Sequence, residues 1–217
     1  MASRGVTPNQ ISIASVIFAF VAASAFFVAA LASSITLASL AWLVAAAAIQ
    51  GRLVCNLIDG MVAVEGGQQT RSGELFNDVP DRIADPIVLV SLGYAASIML
   101  GSFEATSGEA ASRLDPSVIV AIGWAAGLLA VMTAYVRVLG ISIGTPADFG
   151  GPMAKQHRMA IVTAASVVAA VGLWWNRSLM AWVPTIALTI IVLGCIMTIA
   201  GRLIRAYRVL ETTRVGP

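Results

Sequence analysis

NLIDGMVAVEGGQQTRSGELFNDVPDRIAD, residues 56–85, is a polar island in a strongly apolar chain. It holds six of the eleven acidic residues: Asp59, Glu65, Glu74, Asp78, Asp81 and Asp85. The chain around it has 217 residues, of which 59% are hydrophobic and 11% charged. Its mean hydropathy is +0.89. A soluble domain carries about 25% charged residues, so this composition describes an integral membrane protein. Carboxylates beside membrane-length apolar runs are costly and by default mark a functional site.

Outward from that island, the apolar runs predict six membrane-spanning helices. The first span covers Ile11–Leu31, after a polar arm (residues 1–10) in which Thr7-Pro8-Asn9 reads as a helix start. The arm lacks a signal-peptide cleavage pattern, so the first run reads as a retained span. The second span begins near Ile35. Nothing stops its helix before Gly66-Gly67, so it can continue past Arg52 into Asp59 and Ala63. The third starts between Glu74 and Asp78 and runs to Leu100, with Pro80 in its first turn and Pro86 deeper. Three further spans are expected at Ser117–Leu139, Arg158–Trp175 and Met180–Ile204. The fold class is all-α, a single six-helix membrane domain over residues 1–217 with a basic tail at 205–217. No separate soluble domain fits, because each span consumes about 20 residues.

Charge orients this bundle. Arg4, Arg52, Arg71, Arg82, Arg137, Lys155, Arg158, Arg202, Arg205, Arg208 and Arg214 fall on the side of the N-terminus, against Arg113 and Arg177 on the other. The excess predicts cytoplasmic termini, in the inner or cytoplasmic membrane, with the 56–85 island opening to the cytoplasm. Trp174 and Trp175 read as interfacial residues of the opposite side. Cys55 and Cys195 read as small apolar side chains rather than a disulfide or a metal site.

Spacing within the island suggests a site. Asn56, Asp59 and Ala63 lie on one helical stripe, and Asn77, Asp81 and Asp85 on another. Two antiparallel helices can face these stripes at each other, so that oxygen ligands converge. Such ligands suit Mg²⁺, Mn²⁺ or Ca²⁺ rather than zinc. Gly60 and Gly73 remove side chains beside the carboxylates, which lets a bulky ligand approach the backbone. Asp78 points about 100° away from Asn77 and reads as a helix cap or a solvated first-turn acid. Glu65 and Glu74 read as solvated acids, and Asp85, one turn deeper than Asp81, as functional or hydrogen-bonded.

In this register the sequence resembles the CDP-alcohol phosphatidyltransferases, whose pattern is D-x2-D-G-x2-A-R, about eight residues, then G-x3-D-x3-D. Here it reads Asn56-x2-Asp59-Gly60-x2-Ala63-Val64, then Gly73-x3-Asn77-x3-Asp81. Two motif Asp are replaced by Asn56 and Asn77, and the motif Arg by Val64. The resemblance implies Asp59, Asp81, Asn56 and Asn77 around Mg²⁺ or Mn²⁺. It implies Asp81 as the base on the incoming alcohol, and Gly60, Ala63, Gly73 and Asn56 against CDP. It also implies transfer of a phosphatidyl or related phospho-alcohol group from a CDP-linked donor, such as CDP-diacylglycerol, with release of CMP. A small alcohol or phospho-alcohol accepts it. A homodimer among membrane lipids is expected, without nucleic acid. Two carboxylates and a diphosphate balance two Mg²⁺ ions in charge, so the asparagines leave such a site plausible.

A second polar group lies near the ends of the fourth and fifth spans. Arg137, Lys155, His157 and Arg158 could form a cationic pocket for an acceptor phosphate, or they could be positive-inside charge on lipid headgroups. Arg202, Arg205 and Arg208 have helical spacing and are expected to anchor the tail to anionic lipid. Two other functions compete with the enzyme. One is a nucleotide- or lipid-binding relative without turnover, suggested by Asn56, Asn77 and Val64. The other is a transporter, which would place acids nearer the bilayer centre than Asp59 and Asp81.

Overall fold

The computed structural model describes residues 8–65, 73–107 and 115–214, without the side chains of residues 8, 9, 59–65, 73–77, 103–107, 213 and 214. Thr7 and the 66–72 loop lie outside the described residues. Six helices follow one another: α1 (Pro8–Leu31), α2 (Ile35–Glu65), α3 (Gly73–Ser107), α4 (Pro116–Ser142), α5 (Lys155–Gly172) and α6 (Arg177–Arg214). As expected, α2 runs unbroken past Arg52. Five helices are long and apolar enough to cross a membrane. The sixth, α5, has 18 residues, and its first turn is Lys155-Gln156-His157-Arg158. Helix α6 continues into the basic tail as far as Arg214.

Local chemistry sets several of these ends. Asp115 caps α4 by accepting the Ser117 N–H at 2.8 Å, and Pro116 takes the first turn, where its missing N–H costs nothing. That hydrogen bond holds the Asp115 carboxyl below its ordinary range. Asn176 caps α6 by accepting the Leu179 N–H at 3.0 Å.

Small residues let the helices approach. Helix α1 packs against both α2 and α3. Its Ala19, Ala22, Ala25 and Ala29 are buried, as are Ala38, Ala41, Ala45 and Ala48 of α2. In hydrocarbon the hydrophobic effect gives helices no reason to associate, so close backbone packing through small side chains carries more of the stability. Phe26 and Trp42 fill the space between with ring centroids 5.3 Å apart. Helices α3 and α4 approach closely, since a Cβ added to Gly123 would lie 2.8 Å from the Gly93 Cα. Helix α5 packs on α2 and α6, and α6 also packs on α3 and α4. Ser39 Oγ donates to the Ala170 carbonyl at 2.7 Å, and Gln50 Nε2 to Thr163 Oγ1 at 2.8 Å, tying α2 to α5.

Candidate active site at the polar end of the bundle

Helices α2 and α3 hardly touch along their lengths; they meet through side chains at one end. There Arg52, one turn before Asn56 in α2, is completely buried. Its Nη2 lies 3.2 Å from Asp81 Oδ1 and 2.6 Å from Asp85 Oδ1, so one guanidinium joins two carboxylates on successive turns of α3. Asn56 Nδ2 donates to Asp81 Oδ1 at 3.1 Å. Asn56 and Arg52 of α2 therefore face Asp81 and Asp85 of α3. Lys155, the first residue of α5, makes an ion pair with Asp81 Oδ2.

The network continues inward and across the bundle. Arg158 Nη2 donates to Asp85 Oδ2 at 2.7 Å. Its Nη1 donates to Thr133 Oγ1 of α4 at 3.2 Å and to the Met153 carbonyl at 2.9 Å. Asp85 is 4% exposed and Arg158 3%, so this hydrogen-bonded Asp85 matches its expectation. Arg202 of α6 reaches the Thr133 carbonyl with Nη1 and the Gly150 carbonyl with Nε. Residues 52, 81, 85, 133, 158 and 202 thus connect α2 to α6 through contacts with all the helices between.

Around the rim, Asp78 is neither a cap nor a lone solvated acid. It accepts from Arg82 Nη2 at 3.0 Å and lies 3.5 Å from Arg137 Nη2. The Arg137 guanidinium also lies over the Phe149 ring, 5.1 Å from its centroid. Residues 143–154 form the link between α4 and α5. In it Asp148 accepts from Arg205 Nε at 2.7 Å and from the Gly150 N–H at 2.8 Å. Burial alone would raise the Asp148 pKa. The hydrogen bonds from Arg205 and Gly150 and the charges of Arg205 and Arg202 outweigh it, and hold the carboxyl below its ordinary range. A cleft of about 240 Å³ opens here, lined by Arg137, Thr145, Asp148, Arg202 and Arg205 among others.

Several expectations change. Arg202 and Arg205, expected to face lipid, also have partners within the protein: Arg202 donates to the Thr133 carbonyl of α4 and the Gly150 carbonyl, and Arg205 to Asp148. Of the four cations proposed for an acceptor phosphate, the structure brings Lys155 to Asp81 and Arg137 to the rim, commits Arg158 to Asp85, and leaves His157 exposed. Asp59, Gly60, Ala63, Gly73 and Asn77 lie in α2 and α3, with side chains outside the described residues. Among the described residues no group of three His, Cys, Asp or Glu is placed to hold a metal. Arg52 was not expected in the site. Its signal was position, because residues 52, 56, 59 and 63 share one stripe.

No family model matches the sequence, and no curated protein does. Solved structures do match. Mycobacterium tuberculosis phosphatidylinositol phosphate synthase (PgsA1), in complex with manganese and citrate, superimposes with a TM-score of 0.66 over 95% of this chain and 85% of that one. It shares the fold of that synthase. The same synthase with CDP-DAG bound gives a TM-score of 0.64 over 95% of this chain and 89% of that one. Sequence identity is 16% in both, so the likeness to the synthase is one of fold.

Proposed function

We propose that this chain is a membrane phosphotransferase that moves a phosphatidyl or related phospho-alcohol group from a CDP-linked donor to an alcohol, releasing CMP. The observation that carries this reading is the buried Asp81, set where α2 and α3 converge and faced by Asn56, on a fold shared with a synthase solved with CDP-DAG. In this reading α5 crosses the membrane with the other five helices, both termini are cytoplasmic, and the site faces the cytoplasm.

The donor set fits a hard divalent ion. Asn56 turns its amide nitrogen to Asp81, which leaves its carbonyl oxygen as a neutral ligand. Asp59 and Asn77 occupy the matching positions of the two stripes. Asp81, Asp59, Asn56 and Asn77 would hold Mg²⁺ or Mn²⁺, with manganese present in the related synthase. Such an ion, when bound, neutralises the donor diphosphate and the departing CMP. Gly60, Ala63 and Gly73 leave room for the CDP moiety. Asp81 accepts the proton of the acceptor hydroxyl. The alcohol oxygen forms a bond to the lipid-bearing phosphorus, the bond from that phosphorus to the CMP oxygen breaks, and CMP leaves as the anion. A carboxylate is a weak base at neutral pH, so the rigid hold of Arg52 and Asn56 on Asp81 contributes by positioning. Arg137, Lys155 and His157 are the cations available to an acceptor phosphate, and Arg158 is held by Asp85 beside them.

Purified protein in detergent with Mg²⁺ or Mn²⁺, CDP-diacylglycerol and a panel of alcohols should release CMP, and Asp81→Ala should reduce that rate at least ~100-fold, the lower range for loss of a general base. Absence of CMP with every acceptor, while CDP binding persists, would sink the enzymatic reading. It would favour the second one, a nucleotide- or lipid-binding relative without turnover, to which the amides at 56 and 77 lend support.

A further inference from the structure

Two cations meet Asp81, and the structure holds them differently. Arg52 is completely buried, is shared between Asp81 and Asp85, and has its Nη1 3.3 Å from Met159 Sδ. Departure of Arg52 would break buried contacts with both carboxylates at once. Among the described residues Lys155 makes one ion pair, with Asp81 Oδ2, and its side chain is 24% exposed. A flexible four-carbon stem beginning at a helix N-terminus can swing that ammonium outward without moving the backbone.

The two carboxylate oxygens divide accordingly. Oδ1 accepts from Arg52 and Asn56, which fills its two lone-pair directions. Oδ2 carries Lys155 and is the oxygen through which Asp81 can ligate a metal. A divalent cation on Oδ2 would repel an ammonium at the same atom, and low local dielectric strengthens that repulsion. We infer that Lys155 is an exchangeable counter-ion, competing with the divalent metal for Asp81 Oδ2 and released toward substrate phosphate when the metal enters. This rests on the metal-dependent reading above and goes beyond it, because it makes metal and anionic substrate bind cooperatively. Metal frees Lys155 to meet a phosphate, and phosphate draws Lys155 off the carboxylate. Linkage requires the coupling to be reciprocal.

Mn²⁺ binding, followed through the EPR signal of free hydrated Mn²⁺, tests this in detergent without any turnover. For the unaltered protein, CDP-diacylglycerol should tighten Mn²⁺ binding, within the roughly 5–150-fold range usual for coupled sites. Lys155→Met keeps the stem and removes the charge. It should tighten Mn²⁺ binding without donor by about tenfold and shrink the effect of donor by the same factor, since the donor no longer has an ammonium to displace. Lys155→Arg, which keeps the charge, should leave donor-free Mn²⁺ binding weak. Donor-free affinity that is unchanged or weaker in Lys155→Met, while Mn²⁺ still binds with donor present, overturns this inference and leaves the phosphotransferase reading intact. Failure of the unaltered protein to take up Mn²⁺ even with donor overturns both.

Discussion

The structure contains two kinds of ionic contact only a few residues apart. In the interior, Arg52, Asp85 and Arg158 form a chain of three charges, each less than 5% exposed, on three helices. At the rim, Asp148 pairs with Arg205, whose side chains are 29% and 48% exposed. The distances are nearly the same, 2.7 Å from Asp85 to Arg158 and 2.7 Å from Asp148 to Arg205. What separates them is the alternative open to each charge once its partner is gone. Water can replace a partner at the rim, and it cannot reach the interior. Loss of a partner should therefore cost far more inside than outside.

The largest effect should come from Asp85→Ala, which leaves Arg52 and Arg158 facing each other without their common anion. Removing one partner of a buried pair costs about 3–5 kcal/mol, enough to lower the thermal midpoint sharply or to abolish folded protein in detergent. A loss below about 1 kcal/mol would mean that water or lipid phosphate reaches the chain, and the contrast with the rim would disappear. Replacing all three charges at once, Arg52→Met, Asp85→Leu and Arg158→Met, should recover much of the loss, because buried ion pairs often stabilise no more than well-packed apolar residues do. Recovery of stability without recovery of CMP release would assign the chain of charges to positioning Asp81 rather than to holding the fold.

How much of this was legible in the sequence depends on whether a residue's partner was local. The helices were legible because apolar runs of membrane length have few other readings. The meeting of Asn56 with Asp81 was legible because the two helices are consecutive and only seven residues separate them in the sequence. The two ends of the network were not. Arg52 looked like ordinary positive-inside charge, and only its place four residues before Asn56 set it apart. Thr133 accepts from Arg158 through its hydroxyl and from Arg202 through its carbonyl, yet nothing in its neighbourhood announces a threonine that joins α5 to α6. Arg202, Arg205 and Arg208 share a periodicity, which is why they were read together. Packing divides them: Arg202 is buried, Arg205 pairs with Asp148, and Arg208 is exposed.

Backbone geometry rather than charge should control the rim, and Gly151→Ala tests that. Gly151 has φ +121°, a conformation that residues with a Cβ rarely adopt, and an added Cβ would lie 2.5 Å from Thr198 Cγ2. Thr198 is itself buried and accepts the Met153 N–H at 2.9 Å, so it has little freedom to yield. The substitution should cost about 1–3 kcal/mol of backbone strain and loosen the 143–154 link. The thermal midpoint should fall by less than for Asp85→Ala, and amide hydrogen exchange should rise in that link while the core of α3 stays protected.

The smallest effect should belong to Asp148→Asn. The exposed pair with Arg205 contributes about 0–1 kcal/mol, and salt screens it. Its sign with pH follows from the lowered carboxyl pKa of the folded protein. A depressed folded-state value means that the unfolded chain takes up a proton first, at the ordinary carboxylate pKa of about 3.9. The stabilisation is therefore fully present at neutral pH and fades as pH falls through the ordinary value to the depressed one. Asp148→Asn should lower the thermal midpoint slightly at pH 7 and low salt, hardly at all at 1 M salt, and less and less as pH falls below the ordinary carboxylate range. A loss as large as that of Asp85→Ala, and insensitive to salt, would show that Asp148 is shut off from water together with Arg202, and would move the boundary between rim and interior outward to include the 143–154 link.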